Sequence, residues 1–214
     1  MLREGATVVL GVDEVGRGAI AGPVAVGVAA VTLEHGTAPA GLRDSKLLAE
    51  PRREQLQPRV ARWAPHSAVG LAEVAEVESV GIIAALGLAA SRALAAVHDL
   101  GLGFDGAVVL LDGSHDWLSP VLRGTPLGGS VRVVTRVKAD RTCAAVAAAS
   151  VLAKVHRDRL MIQAHDTAPD YLWASNKGYA SAEHYAAIDR LGPHALHRVS
   201  WLRTAVPLDG LEAV

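Results

Sequence analysis

The 214-residue sequence predicts an α/β fold: a mixed sheet covered by helices. Three observations point there. Short valine-rich runs recur early in the chain, strand-like and helix-like patterns alternate later, and half of all residues are hydrophobic although only 4% are aromatic. Ala, Val and Leu must therefore build the core, and their spacing separates strands from helices.

The elements follow in order. Residues 6–12 read as a first strand, and residues 24–31, rich in valine, as a second. "APAGLRDSK" is a loop marked by Pro and Gly. Pro51 suits the first turn of a helix reaching about Arg62. A third strand is expected over residues 67–73, then a long Ala/Leu helix over 80–98 that stops at Gly101. "GAVVLLDGS" and residues 131–135 read as two further buried strands. Residues 142–165 place Val146, Ala149, Leu152, Val155 and other apolar residues at helical spacing. "ASNKGYASAEH" leads into a last helix over 182–191, which "LGPH" ends. The whole chain, 1–214, is expected to be one domain, with 204–214 a loose tail.

Composition narrows the class. The longest apolar stretches, 19–33 and 80–91, fall short of the ~18 residues a membrane helix needs, and the first contains Pro23. The first apolar run is broken by an acidic pair and does not read as a secretory signal. One cysteine, Cys143, leaves no internal disulfide and suits a reducing cytoplasm. Cys143 itself is expected to be a small buried hydrophobe. The net charge of −1 does not announce a nucleic-acid binder. Its distribution says more, because Arg123, Arg132, Arg136, Lys138, Arg141, Lys154, Arg157 and Arg159 are opposed over that stretch only by Asp140 and Asp158. Such a local field attracts phosphates, although a solvated helix face would carry the same charges.

The acids carry the chemistry. Asp13 and Glu14 follow the first strand, Asp112 ends "VVLLD", and Asp140 stands between the last strand and the long helix. Sites in α/β sheets gather where strands end. Clustered buried carboxylates repel one another, and a hard divalent ion such as Mg²⁺ or Mn²⁺ relieves that repulsion. Two such ions can drive phosphodiester hydrolysis. Taken singly, each acid has an ordinary alternative: a polar turn at Asp13-Glu14, a turn at Asp112-Gly113, a helix N-cap at Asp140. Because side chains alternate along a strand, Asp13 and Glu14 can share a site only where the strand ends or bulges. No Cys/His zinc spacing and no phosphate-binding Walker loop is present.

"GVDEVGRGAIAGPV", "LRDSK", "VVLLDG", "KADRTCAAVAAASVLAKVHRDR", "NKGYASAEH" and "LGPHALHRVSW" resemble, in order, the motifs of type 2 ribonuclease H (ribonuclease HII). The resemblance spans about residues 7–203. It implies a ribonuclease H-like mixed sheet, three antiparallel strands then parallel ones, flanked by helices and followed by C-terminal helices. It implies a metal site of Asp13, Glu14, Asp112 and Asp140 holding two Mg²⁺ or Mn²⁺ ions. It assigns the backbone of Gly16, Arg17 and Gly18 to the ribose 2′-hydroxyl, Tyr179 to stacking on the sugar after the RNA–DNA junction, and Lys46 to a phosphate. The implied partners are RNA–DNA hybrids and duplex DNA containing ribonucleotides, cut by a monomer without membrane association. A structure-specific DNA nuclease of the same superfamily and a catalytically silent hybrid-binding module are the alternatives. Ala19, "DSKLLA" and "NKGYAS" depart from the family's commoner residues, and none of the departures touches the four acids.

Overall fold

The computed structural model describes residues 1–43 and 45–202; the expected loose tail lies outside them. The elements are β1 (Val9–Val15), β2 (Val24–Val31), α1 (Glu50–Trp63), β3 (Ser67–Ala72), α2 (Val74–Val80), α3 (Ile82–Asp99), β4 (Ala107–Asp112), α4 (Ser119–Leu122), β5 (Val131–Arg136), α5 (Ala139–Thr142), α6 (Ala144–Thr167), α7 (Trp173–Asn176) and α8 (Ala182–Leu191). Among the described residues the strands form one sheet in the order β3-β2-β1-β4-β5. β1, β2 and β3 pair antiparallel, and β4 and β5 extend the sheet in parallel with β1. This is the mixed sheet the sequence predicts.

Helices cover both faces. One face buries Leu10, Val12, Val26, Val109 and Leu111 beneath Leu86, Ala89, Ala93 and Leu94 of α3. α3 has the length and hydropathy of a membrane span by composition alone. Its position explains that composition, because the helix is a core element laid along the sheet. On the other face α6 packs with α1 over β1 and β2, through Ala148, Val151, Leu152, Val155, Leu56 and Val60.

Two boundaries differ from the sequence reading. β1 runs to Val15, so Asp13 and Glu14 lie inside the strand rather than after it. The antiparallel ladder with β2 extends them, pairing Asp13 with Gly27 and Glu14 with Val26. The helix expected over 80–98 is α3, and a short helix absent from the sequence reading, α2, precedes it and is divided from it at Gly81 (φ 77°). A reciprocal capping box between Glu73 and Glu76 starts α2, a signal present in the sequence that the apolar run at 80–91 overshadowed.

Glycine lets α6 lie close to the sheet. A Cβ at Gly11 would stand 2.2 Å from the Ala145 backbone, and one at Gly27 would stand 2.3 Å from the Ala149 carbonyl oxygen. Backbone cannot yield as a flexible side chain can, so Gly27→Ala is expected to be overpacked by about 1–3 kcal/mol. For a chain of this size that corresponds to a fall of several degrees in the thermal midpoint, at roughly 2–4 °C per kcal/mol. Gly36→Ala, where the added Cβ meets nothing within 4 Å, is the control. Equal melting of the two variants by circular dichroism would show that α6 is free to retreat.

Candidate active site

Strand alternation decides which acids meet. Leu10 and Val12 of β1 face α3, while Val9 and Gly11 face α6. Asp13 continues the α6 side by period two. In β4, Val109 and Leu111 join the α3 core and Leu110 the opposite one, so Asp112 also falls on the α6 side. The parallel ladder between these strands ends at Val12 opposite Leu111. Asp13 and Asp112 are each the next residue, on neighbouring strands and on one face. Strands stand ~4.8 Å apart, which brings the two carboxylates side by side.

Asp140 reaches the same end of the sheet by a tight turn. Between β5 and α5 the chain spends only Val137 and Lys138, and Lys138 adopts a left-handed conformation, φ 59°. The Ala139 N–H then donates to Asp112 Oδ1 at 2.7 Å. Asp140 follows it, buried, within the first turn of α5. It is therefore inside the helix rather than at its N-cap, which is Lys138. Glu14 is half-buried, with Arg17 Nη1 at 3.5 Å from its Oε1; strand alternation alone would turn it to the other face, yet Lys46 and Asp112 both act on its charge.

Electrostatics marks Asp13 as the strained member. It is 1% exposed. Oδ1 accepts the Glu14 N–H at 2.9 Å, and Oδ2 is buried with no hydrogen-bond partner. Burial pushes its pKa from 3.8 up to about 7; Glu14 and Asp112 add to the rise, while the Ser150 hydroxyl and the Lys46 ammonium oppose it. Burial also raises Glu14, against the pull of Arg17 and Lys46. Lys46 thus stands where its charge bears on both acids. Its turn is anchored by the Ser45 N–H donating to Ser150 Oγ at 3.4 Å, by the Ser150 hydroxyl donating to Ser45 Oγ at 2.8 Å, and by Arg53, which donates to the Ser45 and Leu48 carbonyls.

Among the described residues, no three His, Cys, Asp or Glu side chains close into an ion-holding group. A divalent cation nevertheless fits the chemistry here: the donors are carboxylate oxygens, and Asp13 Oδ2 is buried without a hydrogen bond.

The glycine–arginine–glycine turn lies directly past β1. Gly16 has φ 83°, and a Cβ there would stand 2.0 Å from the Arg157 guanidinium, so only glycine fits. Its N–H donates to the Tyr179 hydroxyl at 3.1 Å. Gly18 stands in open space, and Arg17 is exposed. Two buried arginines fasten this turn. Arg157 donates to the carbonyls of Pro23, Lys177 and Ala21 at 2.8–2.9 Å. Arg198 donates to the Gly22 and Arg17 carbonyls. The Arg157 guanidinium also lies 5.4 Å from the Tyr179 ring centroid, with Lys154 Nζ at 5.9 Å.

This corrects the basic field expected from charge counting. Arg157 is fully buried, Lys154 pairs with Asp158 at 2.6 Å, and Arg159 is tied to Glu54. Arg123, Arg132, Arg136, Lys138, Arg141 and Arg159 of this stretch are exposed. Cys143 is half-buried rather than buried. Sequence reasoning missed Ser150, Arg157 and Arg198 as site-forming residues. Arg157 carried a signal: it lies on the i, i+4 stripe of Ala145, Ala149 and Ala153, which faces the sheet.

Comparison with known proteins gives the family and the fold. The ribonuclease HII family model matches residues 10–204. Ribonuclease HII of Streptomyces griseus is 46% identical over 200 residues, covering 92% of this chain and 78% of the relative. That of Rhizorhabdus wittichii is 42% identical over 197 residues, covering 91% and 88%. Among solved structures, ribonuclease HII in the PCNA complex from Archaeoglobus fulgidus superposes with a TM-score of 0.69 at 22% identity, covering 94% of this chain and 98% of that one. Ribonuclease H2 of Pyrococcus horikoshii gives 0.66 at 23%, covering 91% and 93%. At those identities the structures speak to fold alone.

Asp13 yields a stability prediction with a definite sign. Its folded pKa, about 7, exceeds the ordinary 3.8, so between these values the folded state keeps a proton the unfolded chain has lost. Stability contributed by this group is present at low pH and falls as pH rises through that window. Without divalent ions at pH 8, Asp13→Asn is expected to melt above the wild type. Added Mg²⁺ is expected to raise the wild-type midpoint and leave the variant's unmoved. Identical midpoints for the two proteins in both conditions would remove Asp13 from any ion site.

Proposed function

The chain belongs to the ribonuclease HII family and is an endoribonuclease, and from that premise we propose that it hydrolyses the RNA strand of RNA–DNA hybrids and incises duplex DNA 5′ to single ribonucleotides. The products are a 3′-hydroxyl and a 5′-phosphate. The observation that carries the reading is the pairing of Asp13 and Asp112, one register step past the ladder on one face, with a buried carboxylate oxygen that nothing satisfies.

Asp13 and Asp112 are the central ligands in this reading, and Glu14 and Asp140 complete a site for two Mg²⁺ or Mn²⁺ ions. When bound, such ions activate water and stabilise the leaving oxygen. The residues of this chain do the selecting. The 2′-hydroxyl distinguishes RNA from DNA at a site, and the Gly16–Gly18 turn presents backbone to it. Gly18 is the open approach, since the Gly16 N–H and the Arg17 carbonyl are engaged by Tyr179 and Arg198. Tyr179 offers its ring to the sugar beyond the junction, and Lys46 offers a charge to phosphate from the turn beside the acids.

A cleavage assay with and without Mg²⁺ tests this, on duplex DNA carrying one ribonucleotide and on an all-DNA control. Metal-dependent cutting of the first alone is expected. Cutting of the all-DNA duplex would favour a structure-specific DNA nuclease, and binding without turnover would favour a silent hybrid-binding module. Asp13→Asn is expected to abolish cleavage while hybrid binding survives; full activity in that variant would sink the site.

A further inference from the structure

Tyr179 follows a loop whose backbone is bound through Asn176 and Gly178, where the Tyr179 N–H donates to the Asn176 carbonyl at 2.9 Å and the Gly178 N–H to Asn176 Oδ1 at 2.8 Å. The two residues before Tyr179, Lys177 (φ 52°) and Gly178 (φ 80°), both occupy the left-handed region. For lysine that conformation is costly and persists only where surroundings enforce it. The Tyr179 side chain is held by exchangeable contacts: the Gly16 N–H on its hydroxyl, and two cations beside its ring. Its carbonyl is held differently, by His184 Nδ1 at 2.9 Å.

His184 and His197 are 0% and 1% exposed, and Trp173 is 0% exposed. Their shortest contacts select one tautomer for each ring, although His197 Nδ1 also lies 3.2 Å from the His194 carbonyl. The His194 N–H donates to His197 Nδ1 at 2.8 Å, so that nitrogen carries a lone pair and the neutral ring bears its proton on Nε2. His197 Nε2 is 3.0 Å from His184 Nε2. The Trp173 indole N–H, which can only donate, points at the same His184 Nε2 at 3.1 Å. With two donors aimed at it, His184 Nε2 must accept, and the ring's proton lies on Nδ1, facing the Tyr179 carbonyl. Burial lowers the pKa of both rings, that of His197 to about 4, which keeps them neutral. Ser181 Oγ caps the His184 N–H at 3.2 Å, so the ring is fixed to the start of α8.

We propose that His184 is a positioning residue for Tyr179, its Nδ1–H locked toward the Tyr179 carbonyl by Trp173 and His197 so that the tyrosine ring stays aimed at the substrate sugar. The inference rests on the reading of Tyr179 given above. None of these three residues touches the four acids or the glycine turn, so the sequence motif containing His184 gains a task distinct from the chemistry.

The chain has three tyrosines, so 3-fluorotyrosine labelling gives three ¹⁹F resonances, with Tyr179 assigned from Tyr179→Phe. His184→Leu removes the donor, whereas His184→Asn places an amide N–H near the position of Nδ1. The Leu variant is expected to shift or broaden the Tyr179 resonance and to lower kcat on the one-ribonucleotide duplex by roughly tenfold, the scale of a small misplacement. The Asn variant is expected to restore most of both. In a Tyr179→Ala background His184→Leu is expected to cost nothing further, because coupled residues are non-additive. An unmoved Tyr179 resonance, an Asn variant no better than Leu, or an equal loss in the Tyr179→Ala background would overturn the role. Should His184→Leu fail to fold, His197→Leu, one ring further from Tyr179, carries the same measurements. A wild-type protein that does not cut the one-ribonucleotide duplex overturns the functional reading instead, and the ¹⁹F comparison still decides for His184.

Discussion

The close seating of α6 on the sheet is the constraint from which the site follows. Its stripe of Ala145, Ala149, Ala153, Arg157 and Met161 advances by four residues, one face of a helix. Small residues at its start meet Gly11 and Gly27, with backbone nearly touching backbone. Because the helix lies so low, Ser150 comes within reach of Asp13 and of the Lys46 turn. The same helix places Arg157 beneath Gly16. A bulkier stripe would lift the helix, hydrate Asp13 and slacken the glycine turn together. The low aromatic content of the chain is thus tied to function: a core of Ala, Val and Gly permits a close approach that large rings would prevent.

Much of the scaffold was legible beforehand, and the limits have physical causes. β2 lies at residues 24–31, as read, because both of its faces are buried and no polar residue interrupts its run of Val, Ala and Gly. α8 lies at 182–191, as read, because Ser181 caps one end and Gly192 closes the other. β1 was cut short because acids in a strand interior look like its end. Here Asp13 is sustained mid-strand by its ladder with Gly27. The acids themselves stood out as polar residues at the edges of apolar runs. Their sidedness did not, because which acids share a face depends on the parallel register of β1 and β4, a long-range fact.

Buried charge was the least legible feature. Arg157 looks in sequence like a member of a basic surface, and in the structure both it and Arg198 are fully enclosed. An enclosed guanidinium must fill its donor sites, and these two fill them with carbonyls of the 17–23 turn and of Lys177. A linear count of charges cannot separate such residues from solvated ones. Helical phase can, and it places Arg157 on the inward stripe.

The choice of carbonyls over carboxylates as partners has an electrostatic consequence. Among the described residues neither arginine forms an ion pair within 4.0 Å. Burial lowers the pKa of Arg198 to about 10, still well above neutrality, and lowers that of Arg157 as well. Each therefore leaves a net positive charge beneath the glycine turn, screened less than a surface charge would be. The acids at the ends of β1 and β4 produce the opposite field a few residues away. A polyanion approaching Asp13 and Asp112 is repelled by the carboxylates and drawn to the turn. Two fields of opposite sign thus lie side by side at this end of the sheet. Replacing either arginine by a neutral residue would remove the attraction along with the fastening, so rigidity and charge at this turn come from the same two side chains.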